Sequence, residues 1–242
     1  MSIKSSKDLK SSNGKNIRCI FYLCNHATYF ASHRLQIART LVQSGTDVYL
    51  YCGSKRVDES KIHSKLRKEN INLFAKKHSA GSTNIISFIW FTIQFMVLTS
   101  KIKPDIVHCI SIKAFILGLL YSTIFRKTNV VIAISGLGSI FTATQNQSIS
   151  SKFRQIMVLT LLKIFTTLSP RVKYIVQNQD DKLFLEFELN IFTENISLIQ
   201  GSGAKVEDFM KCCPFNKDKK VLMASRILVN KGVEEYLTAT KN

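Results

Sequence analysis

The sequence predicts an α/β protein with a doubly wound parallel sheet. Short apolar runs rich in β-branched and aromatic residues alternate with longer segments of helical periodicity over residues 17–211. The runs are apolar on both faces, which is typical of strands covered by helices on both sides. Only ten glycines and three prolines occur among 242 residues, so extensive disorder is not expected.

The first elements form a βαβ unit. Ile17–Cys24 predicts a buried strand, and Asn25–Ser32 is predicted to be a polar loop. Apolar residues at helical spacing then predict a helix that ends near Gly45. Val48–Cys52 predicts the second strand, which completes the unit in about 36 residues.

The same alternation continues along the chain. Further strands are predicted at Ile71–Phe74, Asp105–Ile110, Val130–Ile134, Tyr174–Gln177 and Ile196–Ile199. Helices are predicted at Lys61–Lys68, Ile85–Lys101, Ala114–Phe125, Ser150–Leu168 and Asp180–Leu189.

The two ends differ from this pattern. Residues 1–16 are rich in Ser and Lys, predict a disordered basic tail, and lack the apolar stretch of a secretory signal. The polar segment 212–219 contains Pro214 and predicts a linker. A strand at Val221–Ser225 and a helix at Gly232–Thr240 follow it. Since one strand and one helix cannot bury their apolar faces alone, we expect residues 220–242 to be an incomplete second domain.

The net charge of +18 favours an anionic partner, and nucleic acid, an anionic membrane and phosphorylated small molecules all qualify. No helix-turn-helix, zinc-finger or RNA-binding aromatic motif occurs, so we expect no nucleic-acid partner. A dinucleotide-dependent oxidoreductase is disfavoured because no Gly-x-Gly-x-x-Gly follows the first strand. The six cysteines form no CxxC pair, which disfavours a structural zinc site and fits a reducing cytoplasm.

The apolar stretch Ile85–Leu98 is shorter than the roughly 20 residues that a transmembrane helix needs. Two interpretations remain: a buried helix of the α/β domain, or a helix that dips into a bilayer interface.

Candidate binding residues follow the strands, because ligands of parallel sheets bind at the carboxyl ends of the strands. The candidates for binding a ligand are Asn25, His26, His33, Gly136, Gly138, Asn178, Gly201 and Ser202. Glycines there allow close backbone approach to a ligand, although tight turns alone also explain them. Ser111 and Lys113 follow the fourth strand, and His108 within that strand is predicted to be a hydrogen-bonded core residue.

Arg226 and Lys231 form a second candidate site. Arg226 follows the predicted strand Val221–Ser225 and Lys231 stands at the start of the last helix, where two cations beside backbone N–H groups would bind a diphosphate. The alternative is a pair of solvated surface cations.

Six segments, taken together, resemble family 4 of the GT-B glycosyltransferases over residues 17–242. They are SHRLQIARTL at 32–41, PDIVH at 104–108, GLGSIFT at 136–142, VQNQDD at 176–181, LIQGSG at 198–203 and ASRILVNKGV at 224–233. The GLGSIFT segment resembles the branch that acts on polyprenyl-diphosphate sugars.

This resemblance implies a retaining, metal-independent transferase without a cofactor. It would move a sugar from a nucleotide diphosphate to a lipid-linked or saccharide acceptor in bacterial surface polysaccharide synthesis. Residues 17–211 would be the acceptor-side domain, and Arg226 and Lys231 would hold the donor diphosphate. The basic stretch Lys61–Lys77 and the apolar helix would suit the anionic cytoplasmic leaflet of the inner membrane.

Three departures from the family pattern bear on activity. Ser135 stands where many relatives have His, and Ala204 and Lys205 stand where Val and Asp are usual. The Glu-x7-Glu donor motif of the family would lie beyond Lys231, and the sequence ends before it. We therefore expect the chain to bind donor poorly and to be inactive alone. A frameshifted or partial product, and an acceptor-binding or membrane-binding subunit that needs a second, donor-binding chain, remain as alternatives.

Overall fold

The computed structural model describes residues 16–53, 59–76, 85–134, 136, 149–201, 203, 221–225, 227 and 231–240. The chain divides into two compact units, Met1–Gly203 and Ala204–Asn242. The strands of the first unit are β1 Cys19–His26, β2 Asp47–Gly53, β3 Asn72–Lys76, β4 Ile106–Ile110, β5 Asn129–Ile134, β6 Lys173–Val176 and β7 Ile196–Leu198.

The helices of the first unit lie between these strands. They are α1 Ala27–His33, α2 Leu35–Gln43, α3 Ser60–Lys68, α4 Ile85–Ile102, α5 Ile112–Ile124, α6 Ile149–Leu168 and α7 Gln179–Leu183, with a π-helix at Phe184–Glu188 and a 3-10 helix at Thr193–Asn195. In the second unit, the described residues form one helix, α8 Val233–Ala239.

The strands of the described residues form one sheet in the order β3-β2-β1-β4-β5-β6-β7. Every neighbouring pair is parallel. The chain therefore winds outward from β1 to one edge, returns, and winds outward again from β4. The predicted doubly wound parallel sheet is confirmed.

Helices cover both faces of the sheet, which explains why the central strands carry apolar residues on both sides. In β1, Phe21 and Leu23 belong to the core beneath α4, α5 and α6. The alternate residues Tyr22 and Cys24 belong to the core beneath α1, α2 and α3. Because side chains alternate across a strand, both sets must be apolar for both cores to form.

The contact between α5 and the sheet depends on a residue without a side chain. A Cβ atom on Gly118 would lie 2.8 Å from Cys109 Sγ and 3.3 Å from Ile132 Cδ1. Glycine at this position therefore lets α5 approach β4 and β5 closely.

Three local predictions differ from the structure. Most of the predicted loop Asn25–Ser32 is helix α1, because Ala27 and Phe30 are buried and the Phe30 ring packs edge-on against Tyr22 at 5.1 Å. The helix predicted at Asp180–Leu189 is α7 followed by the π-helix.

The strand predicted at Val221–Ser225 is also wrong, because these residues have no strand pairing among the described residues. The predicted tail, apart from Asn16, and the predicted linker 212–219 lie outside the described residues. The predicted helix at Gly232–Thr240 is present as α8.

Helix α4 is buried on one side only. Phe91 and Phe95 are buried against the sheet, whereas Ile86 and Trp90 are exposed. Among the described residues, no helix is both long enough and apolar enough to cross a membrane.

Candidate acceptor site at the crossover of the sheet

The strands β1 and β4 lie side by side, and the strand order runs outward from them in opposite directions. Their carboxyl ends bring Asn25 and Ser111 together across 86 residues of sequence. Ser111 Oγ donates a hydrogen bond to Asn25 Oδ1 over 2.8 Å. Because the Asn25 oxygen is the acceptor, its amide N–H groups point elsewhere and can donate to a ligand. This crossover is where open α/β sheets bind their ligands.

Ser111 has an unusual backbone conformation. Its φ of 109° and ψ of 162° lie in a region that almost only glycine adopts. The residue also caps α5, because its Oγ accepts a hydrogen bond from Ala114 N. The strain is located at the crossover, and strained residues cluster at binding sites.

A small cavity opens beside this pair. Its walls come from β1, β2 and the facing ends of α4 and α5: Leu23, Cys24, Asn25, Gly53, Phe88, Phe91, Lys113, Ala114 and Leu117. Partial burial lowers the pKa of the Lys113 ammonium. The cavity therefore combines an apolar wall with an amide and a cation, which suits a ligand carrying hydroxyl or anionic groups.

Two buried charged side chains support the segment that follows β1. Glu59 lies just before α3 and accepts hydrogen bonds from Thr28 Oγ1 at 2.9 Å and Thr28 N at 3.4 Å. These bonds fasten the first turn of α1 to α3. Arg34, between α1 and α2, is 6% exposed and donates to the His33 carbonyl.

Arg34 influences the histidine of the neighbouring strand. Burial and the Arg34 charge lower the pKa of His108 to about 3, so this ring is neutral at physiological pH. His108 packs against Tyr22 with ring centroids 5.0 Å apart, and its Nε2 has no hydrogen-bond partner among the described residues. The prediction of a core histidine with all its hydrogen bonds formed is therefore wrong.

Comparison with known proteins decides the family. Residues 19–169, more than half of the chain, match the model of the glycosyl transferase 4-like family. The chain belongs to this family. No curated protein matches it.

Solved structures share the fold of this glycosyl transferase 4-like chain at low sequence identity. A glycosyltransferase from Rickettsia africae ESF-5 is 18% identical with a TM-score of 0.50, over 83% of this chain and 47% of that one. A UDP-N-acetylglucosamine 2-epimerase from Rickettsia bellii is 12% identical with a TM-score of 0.54, over 81% and 48%. S. aureus MnaA, solved with UDP, is 13% identical with a TM-score of 0.51, over 84% and 50%.

The glycosyl transferase 4-like chain thus spans about half the length of the solved structures that it matches. These similarities support the GT-B architecture. They do not identify the branch of the family that acts on polyprenyl-diphosphate sugars.

The two candidate histidines of this glycosyl transferase 4-like chain have different positions. His26 ends β1, pairs with Gly53 after a shift in register and precedes α1, so it lies at the carboxyl edge of the sheet. His33 lies at the far end of α1, where it is exposed and stacks on Tyr29 at 4.3 Å. His33 does not line the cavity that contains Asn25.

The candidate glycines leave open space at the same edge. Gly136 has a φ of 105°, and Gly201 has a φ of 77°. A Cβ atom at either position would meet nothing within 4 Å. These positive φ values are typical of tight turns and are sufficient to explain glycine at these positions. Gly138 and Ser202 lie outside the described residues.

Asn178 uses its side chain within the protein. Its Oδ1 accepts from Asp181 N at 2.7 Å, and its Nδ2 donates to Asp181 Oδ2 at 3.0 Å. These are the bonds of a helix N-cap. Its presence in the family-like segment VQNQDD is accounted for by the start of α7.

The predicted diphosphate site is described only in part. Lys231 is exposed beside Gly232, which has a φ of 70° and precedes α8, whereas Arg226 lies outside the described residues. Glu234 and Glu235 occupy the first turn of α8. Carboxylates in a first turn favour the same helix N-terminus that an anionic ligand would use.

Ser111 and Lys113 were not among the binding residues predicted from the sequence. Both follow the fourth strand in the sequence, but only the order of the sheet shows that this strand lies beside β1. The buried Glu59 and Arg34 carried no comparable signal, since charged residues in a basic, polar segment are usually exposed.

Proposed function

We propose that this chain supplies the acceptor-binding lobe of a glycosyltransferase. The lobe would bind a lipid-linked or saccharide acceptor, which receives a sugar from a nucleotide diphosphate. The observation that carries the proposal is the hydrogen bond between Ser111 and Asn25 at the crossover of a sheet whose sequence belongs to the glycosyl transferase 4-like family.

The proposed acceptor lies in the cavity beside Asn25. The Asn25 amide donates to an acceptor oxygen, and Lys113 attracts an anionic group such as the diphosphate of a polyprenyl carrier. Phe88 and Phe91 provide an apolar wall for the sugar face or for the first carbons of the lipid. His26 and Gly136 lie along the same edge and are proposed to contact the acceptor as well.

The proposed donor is a nucleotide diphospho-sugar. Arg226 and Lys231 would stabilise the negative charge that develops as the diphosphate leaves. In line with the family resemblance, we propose transfer with retention of configuration and without a metal cofactor. The reaction would serve surface polysaccharide synthesis on the cytoplasmic face of the inner membrane, where activated sugars meet lipid-linked acceptors.

The test is a transfer assay with radiolabelled UDP-sugars and a polyprenyl-diphosphate-linked acceptor. It is run on this chain alone and on any longer product of the same reading frame. Lys113→Met and Asn25→Ala should each lower kcat/KM by about tenfold or more, mainly through a raised KM for the acceptor. Lys65→Met is the control, because Lys65 is exposed on α3 and does not line the cavity. Equal losses in the site variants and the control would overturn the proposed acceptor site.

The family match and the half-length coverage also fit a second function, that of an acceptor-binding subunit working with a separate donor-binding chain. Equilibrium binding of the acceptor distinguishes the two. Acceptor binding that depends on Lys113, without transfer until a donor-binding chain is added, would support the subunit. Transfer by the chain alone would exclude it.

A further inference from the structure

Helix α4 presents an unbroken apolar stripe on the side away from the sheet. Ile86, Ile89, Trp90, Ile93 and Val97 recur at helical spacing and are between 46% and 79% exposed. The opposite side of the helix is fully committed to the core through Phe91 and Phe95. The exposed stripe is therefore in excess of what the fold needs, and such stripes mark interaction surfaces.

Helix α6 has a second stripe of the same kind on the same face of the sheet. Ile156, Met157, Leu161, Ile164 and Leu168 are between 38% and 63% exposed. Both helices contribute to one core together with α5, which is nearly buried. Two exposed apolar stripes thus flank one central helix.

The charged residues on the part of the chain that contains α4, α5 and α6 are almost all positive. From Ile71 to Asn178 the sequence contains twelve Lys and Arg residues and a single acidic residue, Asp105. The Asp105 carboxylate accepts hydrogen bonds from the backbone N–H groups of Arg18 and Cys19, so it serves the fold. Beyond this stretch of sequence, Glu188 Oε2 lies 3.8 Å from Lys163 Nζ of α6.

The cations gather where α4, α5 and α6 end. Lys101 and Lys103 follow the stripe of α4, Arg126 and Lys127 follow α5, and Arg171 follows α6. Lys103, Arg126, Lys127 and Arg171 line one groove at this edge of the sheet. The apolar stripes therefore end at a cationic rim, which matches the change from acyl chains to anionic headgroups at a bilayer surface.

We propose that the α4 and α6 stripes, with this cationic rim, form a docking face for an anionic lipid leaflet. Both helices lie in the interface, with their exposed Ile, Leu, Val, Met and Trp side chains among the acyl chains. The basic helix α3, expected from the sequence to act together with α4, packs on the opposite face of the sheet. One flat membrane cannot contact the outward sides of both helices, so α3 is not part of this face.

The single tryptophan provides a direct measurement. Trp90 is 61% exposed and is the only Trp in the chain. Vesicles of phosphatidylcholine with phosphatidylglycerol should shift its emission to shorter wavelength at 0.15 M salt, and brominated acyl chains should quench it. Pure phosphatidylcholine vesicles should give a much weaker effect, because the cationic rim then has no anionic partner. No shift and no quenching with anionic vesicles would overturn the proposal.

A matched pair of variants separates docking from unspecific attraction by the net charge. Ile93 and Ile37 are both 46% exposed, but Ile93 lies in the α4 stripe and Ile37 lies on α2, on the opposite face. Ile93→Glu should lower the partition coefficient onto anionic vesicles by about tenfold or more, whereas Ile37→Glu should change it by less than about twofold. Ile164→Glu tests the α6 stripe in the same way. Similar losses in Ile93→Glu and Ile37→Glu would refute a docking face.

A second copy of this chain is the competing occupant. Sedimentation of the protein without lipid tests it, since dimerisation that Ile93→Glu abolishes would assign the face to self-association instead. Vesicle binding does not require glycosyl transfer. An inactive chain that still docks through α4 would therefore leave this inference intact while the proposed function fails.

Discussion

Ser111 Oγ donates a hydrogen bond to Asn25 Oδ1 over 2.8 Å, and the same Ser111 holds a φ of 109°. The bond joins the ends of the two strands from which the sheet winds in opposite directions. The strained backbone thus lies at the centre of the candidate acceptor site.

Two substitutions of Ser111 should separate strain from hydrogen bonding. Ser111→Ala removes the α5 cap and keeps the unfavourable φ, so it should lower the free energy of unfolding by about 1 kcal/mol. Ser111→Gly also removes the hydroxyl but relieves the strain. It should be more stable than Ser111→Ala by about 1–3 kcal/mol in urea unfolding. Equal stability of the two variants would show that the backbone at Ser111 is unstrained.

Gly118→Ala should destabilise the protein although alanine is the better helix former. The new Cβ would lie 2.8 Å from Cys109 Sγ, and the cost of overpacking, about 1–3 kcal/mol, exceeds the helix-propensity gain of about 1 kcal/mol. Cys109→Ala in the same chain removes the Sγ atom and should recover part of the loss. A double-mutant cycle by urea unfolding measures this coupling, and additive effects would contradict the close approach of α5 to β4.

His108 should make the stability fall as the pH is lowered from 7 to 5. Its pKa is about 3 in the folded protein and about 6.5 in an unfolded chain, so between these values the unfolded state binds the additional proton. Lowering the pH therefore favours unfolding through this residue, by about 1–2 kcal/mol between pH 7 and pH 5. His108→Gln removes this contribution, and the wild type should lose more stability than the variant over that range. Parallel pH profiles would show that His108 titrates normally.

Asn178 should affect stability and leave glycosyl transfer unchanged. Asn178→Ala removes the cap of α7 and should lower the free energy of unfolding by about 0.5–2 kcal/mol, whereas Asn178→Ser keeps a capping oxygen and should lose less. Transfer measured well below the unfolding midpoint should be the same in both variants and the wild type. A raised KM for the acceptor in Asn178→Ser would assign Asn178 to the binding site.

The sequence by itself determined the alternation of strands and helices and the parallel sheet. Strands covered on both faces tend to be continuously apolar, so runs such as Val130–Ile134 indicated a strand buried between two layers of helices. The same local signals misled at Asn25–Ser32, where polar residues hide the buried pair Ala27 and Phe30 of a short helix. They also misled at Val221–Ser225, an apolar run without a pairing strand among the described residues.

Only the tertiary structure decided which residues meet. The order of the sheet places β4 beside β1, which brings Ser111 to Asn25 and leaves His33 stacked on Tyr29 outside the cavity. The same folding puts α3 and α4 on opposite faces, although they are close in sequence. Local side-chain patterns determine whether each segment is a strand or a helix. The crossover from β3 back to β4 instead depends on the packing of both cores, which joins residues far apart in sequence.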